Sequence, residues 1–280
     1  MTTNHNPLQK FFRQPAIYIK LPSDGSYWPD GSLEIPQNRE LPVYPMTAVD
    51  EISYRTPDAL FNGQAVVDVL QSCVPAIKNA WYTPSIDLNS LLIAVRIASY
   101  GHDMQLESTC PHCNNTSEYE LDMRVILDKV GRPNYDTTVK SQGIEVIFRP
   151  MNYQEQNQSN LAQFEQQKTI SNITQSDLPE EEKIQQMTQI MKKLTELTVN
   201  ALAFSIVGIR TPETLVTHPE HILEFLHNCD RETFAAIRDH AVDLRNQSEI
   251  QPLSITCSDC QKSYQQAINL DMANFFGNAS

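Results

Sequence analysis

Two copies of one cysteine pattern sit far apart in this chain, and they constrain its fold more than any other feature. "LESTCPHC" runs from Leu106 to Cys113, and "LSITCSDC" runs from Leu253 to Cys260. Both read Leu-x-x-Thr-Cys-x-x-Cys. Both then close on Leu-Asp-Met, at Leu121 to Met123 and again at Leu270 to Met272. Matching flanks of this kind make an internal repeat. A fold that uses the repeat must carry residues near 110 to residues near 257 in space.

Each copy reads as a strand, a tight knuckle and a return strand. The knuckles hold polar turn formers, Asn114 and Asn115 in one and Ser258 and Asp259 in the other. Such a turn aims two sulfurs and several backbone N–H groups at one point. Two hairpins facing each other then offer four thiolates in a tetrahedron, the arrangement of a closed structural zinc site. The expected ligands are Cys110, Cys113, Cys257 and Cys260, and the expected cofactor is a structural Zn²⁺. Taken alone, Cys110-Pro111-His112-Cys113 also fits a thiol oxidoreductase. A catalytic CxxC normally opens a helix, whose N-terminus lowers the thiol pKa. "NNTSEYE" after Cys113 has no helical apolar period, and no βαβ pattern surrounds it. His112 reads as a solvated turn residue. Cys73 and Cys229 lack a CxxC partner, fall in helical patterns and read as small buried hydrophobes.

"AIYIK" at 16–20 alternates like a strand. A turn-rich loop follows, and "ELPVYPMTAVDE" reads as an extended edge or arm interrupted by Pro42 and Pro45. Thr56-Pro57 is a helix start, with Leu60, Phe61, Val66, Val67 and Leu70 as its apolar side. Leu88, Leu91, Leu92 and Val95 predict a second helix from about Leu88 to Ser99. "TTVKSQGIEVIFRP" reads as two strands turning at Gln142-Gly143. The next stretch, Tyr153 to Gln175, is rich in Gln and Asn and poor in apolar residues. A long helix is expected from Pro179, with an acidic first turn suited to the helix dipole and a face of Ile184, Met187, Met191, Leu194 and Leu197. Thr217 and Glu220 fit a capping box, which explains His218 and His221 better than a metal pair does.

The expected fold class is α+β: a mixed domain with a split zinc ribbon, made of the two knuckle hairpins, and an inserted long helical hairpin. Its parts are strands and an extended arm over 1–55, an α+β core over 56–150 and 209–280, and the helical insertion over 151–208. The insertion either covers the core or serves as a docking arm. Burial within Tyr153 to Gln175 looks too small to offset about 1–2 kcal/mol of backbone entropy per residue, so a partner is expected to order it.

Net charge of −13 opposes a phosphate backbone, so nucleic acid is a poor partner. The N-terminus lacks the charged start and apolar run of a secretory signal, and "LLIAVRIASY" is too short for a membrane span, so a soluble chain made in the cytoplasm is expected. There is no phosphate loop, nucleophile elbow or HExxH, and the chain has 8 glycines in all. His102-Asp103 reads as a surface pair. Catalysis is not visible. A zinc-ribbon nucleic-acid or transcription-associated protein remains an alternative, as does the thiol oxidoreductase.

"FFRQPAIYIKLPSDGSYWPDGSLEIPQNRELPVYPMTAVDEI" followed by "RTPDALFNGQAVVDVLQSCVPAIKNAW" resembles the baseplate proteins of contractile-tailed, T-even-like bacteriophages, a family labelled hub subunit or hub assembly protein. The resemblance covers about residues 11 to 125 best, weakens in the Gln-rich middle and returns at "TCSDC". It implies a component of the virion tail baseplate or of its assembly, made in the host cytoplasm. It further implies oligomeric assembly with other baseplate and tail proteins, no membrane span and no enzymatic activity.

Overall fold

The structure, a computed structural model, describes residues 6–54, 62–176 and 178–268. The expected helix start at Thr56-Pro57, with Leu60 and Phe61, and the second Leu-Asp-Met, Leu270 to Met272, lie outside the described residues. Among the described residues the fold is mixed, with helices and several small antiparallel sheets arranged around three apolar clusters.

The first cluster is built mainly by the N-terminal half, joined by Ile268 from the C-terminal end. Strand β1 (Ile17–Ile19) pairs antiparallel with β2 (Leu41–Val43), so that Ile19 and Leu41 face each other. Helices α1 (Ala48–Tyr54), α2 (Gln64–Cys73) and α3 (Ser85–Tyr100) follow. Leu41, Val43, Val67, Leu70, Leu91 and Val95 bury together, as their helical and strand periods require. The extended reading of "ELPVYPMTAVDE" holds only to Val43. From Ala48 the chain is helical, because Thr47 and Asp50 cap each other: the Asp50 N–H donates to Thr47 Oγ1 (3.2 Å) and the Thr47 N–H to Asp50 Oδ2 (2.7 Å).

After α3 comes the hairpin β3 (Asp103–Thr109) and β4 (Thr116–Asp122), then the short α4 (Met123–Asp128), which returns Met123 and Ile126 to the first cluster. Strands β5 (Thr138–Ser141) and β6 (Ile144–Phe148) turn at Gln142 and Gly143, both at positive φ (49° and 83°), as the two-residue hairpin requires. Helices α5 (Tyr153–Gln175) and α6 (Glu180–Phe204) run as a hairpin before β7 (Ile206–Arg210) and β8 (Leu215–Val216) complete a sheet of order β5-β6-β7-β8. The pairing of β6 with β7 closes the base of the helical hairpin. Helices α7 (Pro219–Asn228) and α8 (Arg231–Ser248) cover one face of this sheet, giving the second cluster of Val146, Phe148, Leu202, Ile222, Ile237 and Leu244.

Helix α5 shows why low apolar content did not prevent order. Only Ile173 is buried along it. Its start is fixed by Asn152, whose side chain accepts from the Glu155 N–H while Glu155 accepts from the Asn152 N–H, and Arg149 holds Glu155 by two more bonds. Pairing with α6 does the rest. Helix α7 departs from the Thr217–Glu220 capping box. His218 is its N-cap, no side chain caps it, and Pro219 at the first position sets the start instead. The His218 and His221 rings pack against each other at 4.9 Å.

Gly131 passes tightly against the end of α8. A Cβ built there would stand 1.6 Å from the Gln247 carbonyl oxygen at the end of α8. The atom a side chain would meet is backbone, which yields less easily than the tip of a flexible side chain. Gly131→Ala is expected to lower stability by ~1–3 kcal/mol or more, as overpacking does, read as a fall in the denaturant midpoint. An unchanged midpoint would show that the contact yields freely.

Candidate metal centre

The strands β9 (Leu253–Thr256) and β10 (Ser263–Gln266) form the second knuckle hairpin, and it faces the first. The two knuckles are built by the same bonds. In the first, the Cys110 N–H donates to Asn115 O (2.9 Å) and the Asn114 N–H to Cys110 O (2.9 Å). In the second, the Cys257 N–H donates to Lys262 O (3.0 Å) and the Gln261 N–H to Cys257 O (3.1 Å). The residue just after each CxxC is left-handed, Asn114 at φ 57° and Gln261 at φ 60°. That residue turns the chain back into the return strand of each hairpin. A hydroxyl pair closes each hairpin beside the knuckle, Thr109 with Thr116 (2.9 Å) and Thr256 with Ser263 (3.2 Å). Asn114 was legible as a turn former. Gln261 was not, and only its place in the repeat could have pointed to it.

Between the hairpins, Ser108 Oγ shares a hydrogen bond with Tyr264 Oη (2.8 Å), and Ser117 Oγ with Ser258 Oγ (3.1 Å). Four sulfurs meet there. Cys110 lies 3.7 Å from Cys260 and Cys113 lies 3.6 Å from Cys257, and all four sulfurs are within 4.8 Å of one another. These spacings are too long for a disulfide, whose sulfurs stand ~2.05 Å apart. They match the edges of a tetrahedron around one ion, since metal–sulfur bonds of ~2.3 Å set tetrahedral sulfurs ~3.8 Å apart. Cys110 and Cys257 are buried, whereas Cys113 and Cys260 are half-buried. The donor set fits a thiophilic metal ion.

Backbone dipoles favour thiolate at one corner. The Cys260 N–H, helped by that of Asp259, pulls Cys257 down to about 7. Cys113 goes the other way: the Asn115 N–H lowers it, but desolvation and its three sulfur neighbours outweigh this and push it to about 12. Two fixed N–H groups thus favour the thiolate at Cys257, which lies 3.6 Å from the Cys113 sulfur.

The other candidate residues lie elsewhere. His112 is exposed, and its N–H donates to Cys110 Sγ (3.4 Å). His102 Nδ1 and Asp103 Oδ1 form an exposed hydrogen-bonded pair (2.7 Å). Cys73 is buried at the end of α2, where desolvation raises its pKa to about 12 and the Arg13 guanidinium lies 3.9 Å from the sulfur. Cys229 ends α7, half-buried, and its thiol donates to Leu226 O (3.7 Å). Neither CxxC opens a helix, so the feature that activates a redox CxxC is missing from both.

The outward face of β3–β4 opposes Asp103 to Asp122, Gln105 to Glu120 and Glu107 to Glu118. Among the described residues no helix is long and apolar enough to cross a membrane.

The fold is a set of small packed units in which two cysteine knuckles, far apart in sequence, face each other. The family model described as T4 bacteriophage base plate protein matches residues 32–277, and the chain belongs to that family. Comparisons with curated proteins and with solved structures gave no match.

Proposed function

We propose that this baseplate protein is a non-enzymatic hub component, that it acts through contacts with other tail proteins in an oligomeric assembly, and that one structural Zn²⁺ bound by Cys110, Cys113, Cys257 and Cys260 holds its two halves together. The convergence of the four sulfurs carries the metal reading. Four thiolates leave no open position for a water, so the ion's role is to fix the two hairpins. The family match carries the baseplate reading, and the virion tail is where the protein acts after synthesis in the host cytoplasm.

The helical hairpin leaves apolar side chains exposed, which suits contact with neighbours. Ile184 and Met191, one heptad apart on α6, are 61% and 53% exposed. They continue outward along the helix beyond Leu202, which the second cluster covers. Elemental analysis of protein purified without chelator is expected to find one zinc per chain; well under one, or iron in its place, overturns the zinc reading. Localisation in tail particles by cryo-electron microscopy tests the hub role, and density at the baseplate periphery only would refute it.

The acidic face of β3–β4 also opposes the nucleic-acid alternative. Five carboxylates, Asp103, Glu107, Glu118, Glu120 and Asp122, stand on one face of the β3–β4 hairpin. No shift of duplex or single-stranded DNA is expected even at low salt, where phosphate attraction is strongest. A salt-sensitive shift would restore that alternative.

A further inference from the structure

The two knuckle hairpins are copies in sequence, but they do not present the same groups to each other. Both knuckles have the same length, so the correspondence continues into the return strands. Ser117 stands where Tyr264 stands, and Tyr119 where Gln266 stands. On the approach strands Leu106 corresponds to Leu253 and Ser108 to Ile255. The strand registers agree: Ser108 lies opposite Ser117 in the first hairpin, and Ile255 opposite Tyr264 in the second. The covered positions therefore read Leu, Ser, Ser, Tyr in one hairpin and Leu, Ile, Tyr, Gln in the other.

Ser108 carries the difference. It is 4% exposed, and its Oγ meets two groups of the second hairpin. A hydroxyl has one hydrogen. That of Ser108 goes to Gln266 Oε1 (2.5 Å), so the Tyr264 hydroxyl donates to Ser108 Oγ (2.8 Å). Gln266 keeps its nitrogen turned away, because Nε2 donates to Ala267 O (2.9 Å). Tyr264 is buried as well. Each of these groups has its partner, in a place where an unmade bond costs more than a made one returns.

Any two CxxC knuckles supply four thiolates, so sulfur chemistry alone does not say which knuckles pair. Where several copies of the chain assemble, two first knuckles would serve, and so would two second knuckles. Pairing first with first puts Ser117 in the place of Tyr264 and Tyr119 in the place of Gln266, and Ser108 loses both of its bonds. Pairing second with second sets Ile255 against Tyr264 and Gln266, which leaves a hydroxyl and an amide oxygen facing methyl groups. Pairing first with second satisfies every group.

We propose that Ser108, Tyr264 and Gln266 are positioning residues of the metal centre. They select the first knuckle as the partner of the second and set the register in which the four sulfurs converge. The ion supplies the hold, and the hydroxyl relay supplies the choice of partner by penalising the wrong ones. The proposal rests on the reading of Cys110, Cys113, Cys257 and Cys260 as ligands of one ion.

Three full-length variants test it: Ser108→Ala, Ser108→Thr and Ser108→Ile. Competition with a chromophoric chelator reads zinc affinity, and Co²⁺ in place of zinc reads the ligand set through its d–d absorption. Ser108→Ala should bind zinc on the order of 10–100-fold more weakly, the usual effect of removing a group that orients metal ligands. Ser108→Thr keeps the hydroxyl and should restore the affinity. Ser108→Ile makes the first hairpin present what the second presents, so that like knuckles can pair. Native mass spectrometry should then find metal bridging two chains, where the unaltered protein holds it within one. Ser108→Ala binding as tightly as the unaltered chain overturns the proposal. So does Ser108→Thr binding no better than Ser108→Ala, which would reduce the serine to packing, and so does Ser108→Ile keeping its metal within each chain. Absence of metal from the unaltered chain is a separate failure, that of the zinc reading. Pairing is then read without metal, by diamide oxidation and peptide mapping. Cys110–Cys260 and Cys113–Cys257 links within one chain, lost in Ser108→Ile, support the selection; their absence from the unaltered chain, or the same yield in both proteins, overturns it.

Discussion

Replacement of Cys110 by serine, or removal of the metal with a strong chelator, is expected to detach the two knuckle hairpins from each other and lower stability by ~3–5 kcal/mol or more. The apolar cluster between the hairpins is too small to hold them. Its buried members are Cys110, Ile255, Cys257 and Tyr264, and two of these are proposed ligands. Burying one large apolar side chain contributes ~1.5–3 kcal/mol, so Ile255 and Tyr264 together offset only the ordering of a few residues at ~1–2 kcal/mol each. Structural zinc in small domains binds with ~10–16 kcal/mol, and that energy becomes folding energy wherever the unfolded chain has no site. The closed loop is also long, running from Cys113 to Cys257 through the second sheet and both long helices, so the proposed ion would join elements that no local sequence ties together. Exchange protection should collapse in 103–122 and 253–266 first, while β6 and β7 keep theirs, since Val146 and Ile209 pack in a separate cluster. Serine at 110 leaves three thiolates and should bind metal weakly. A Cys110→Ser chain with unchanged midpoint and protected hairpins would remove the structural role. A stable variant that instead loses a measurable enzymatic rate would reopen the question of catalysis.

The cysteine centre was legible because its chemistry is local. CxxC within a polar knuckle fixes two ligands by turn geometry, and the repeated flanks say that two such turns belong together. The Gln142-Gly143 hairpin and the long helix from Pro179 were legible for the same reason: turn residues and apolar period act over a few positions. What remained hidden depends on contacts across the chain. Nothing near Ile144 to Phe148 announces that Ile206 to Arg210 will pair with it, yet that pairing makes the second sheet and roots the helical hairpin. Helix α1 was hidden because prolines at 42 and 45 suggested an arm, and the Thr47–Asp50 cap that ends the extended course is a short signal beside them. The tight passage of Gly131 past Gln247 is visible only in three dimensions.

Asp87 was equally invisible, since an acidic residue in the first turn of a helix reads as a partner for the helix dipole. In the structure it is fully buried and organises the loop between β1 and β2. Its carboxylate accepts from the Ser23 N–H (2.8 Å), from the Ser23 hydroxyl (2.5 Å) and from Trp28 Nε1–H (2.8 Å). Asp87→Ala leaves those three donors without an acceptor. At ~1–3 kcal/mol for each buried donor left unmade, and with some relief from losing a buried charge, a net loss of ~3–5 kcal/mol is expected. The loop from Leu21 to Trp28 should lose its protection. Desolvation raises the Asp87 pKa to about 6, and the bonds from Ser23 and Trp28 only partly oppose this. The folded form therefore holds its proton more tightly than the unfolded chain does. Its contribution is fully present below the unfolded value near 3.8 and is lost as pH rises through about 6. Other carboxylates, such as Asp230 with its pKa lowered by the Thr233 N–H, act in the opposite direction, so the pH course of the unaltered chain alone would mix the two. Asp87→Asn separates them. Position 87 no longer titrates, and every other group titrates as before. The stability of the unaltered chain relative to Asp87→Asn should rise by roughly 2–3 kcal/mol as pH falls from 7 to 4, at ~1.4 kcal/mol per unit of pKa difference. Denaturant midpoints of the two proteins across that range measure it. A difference that stays flat, or that grows toward pH 7, would mean that the buried carboxylate is held in its charged form by the loop, and the direction assigned here would be reversed.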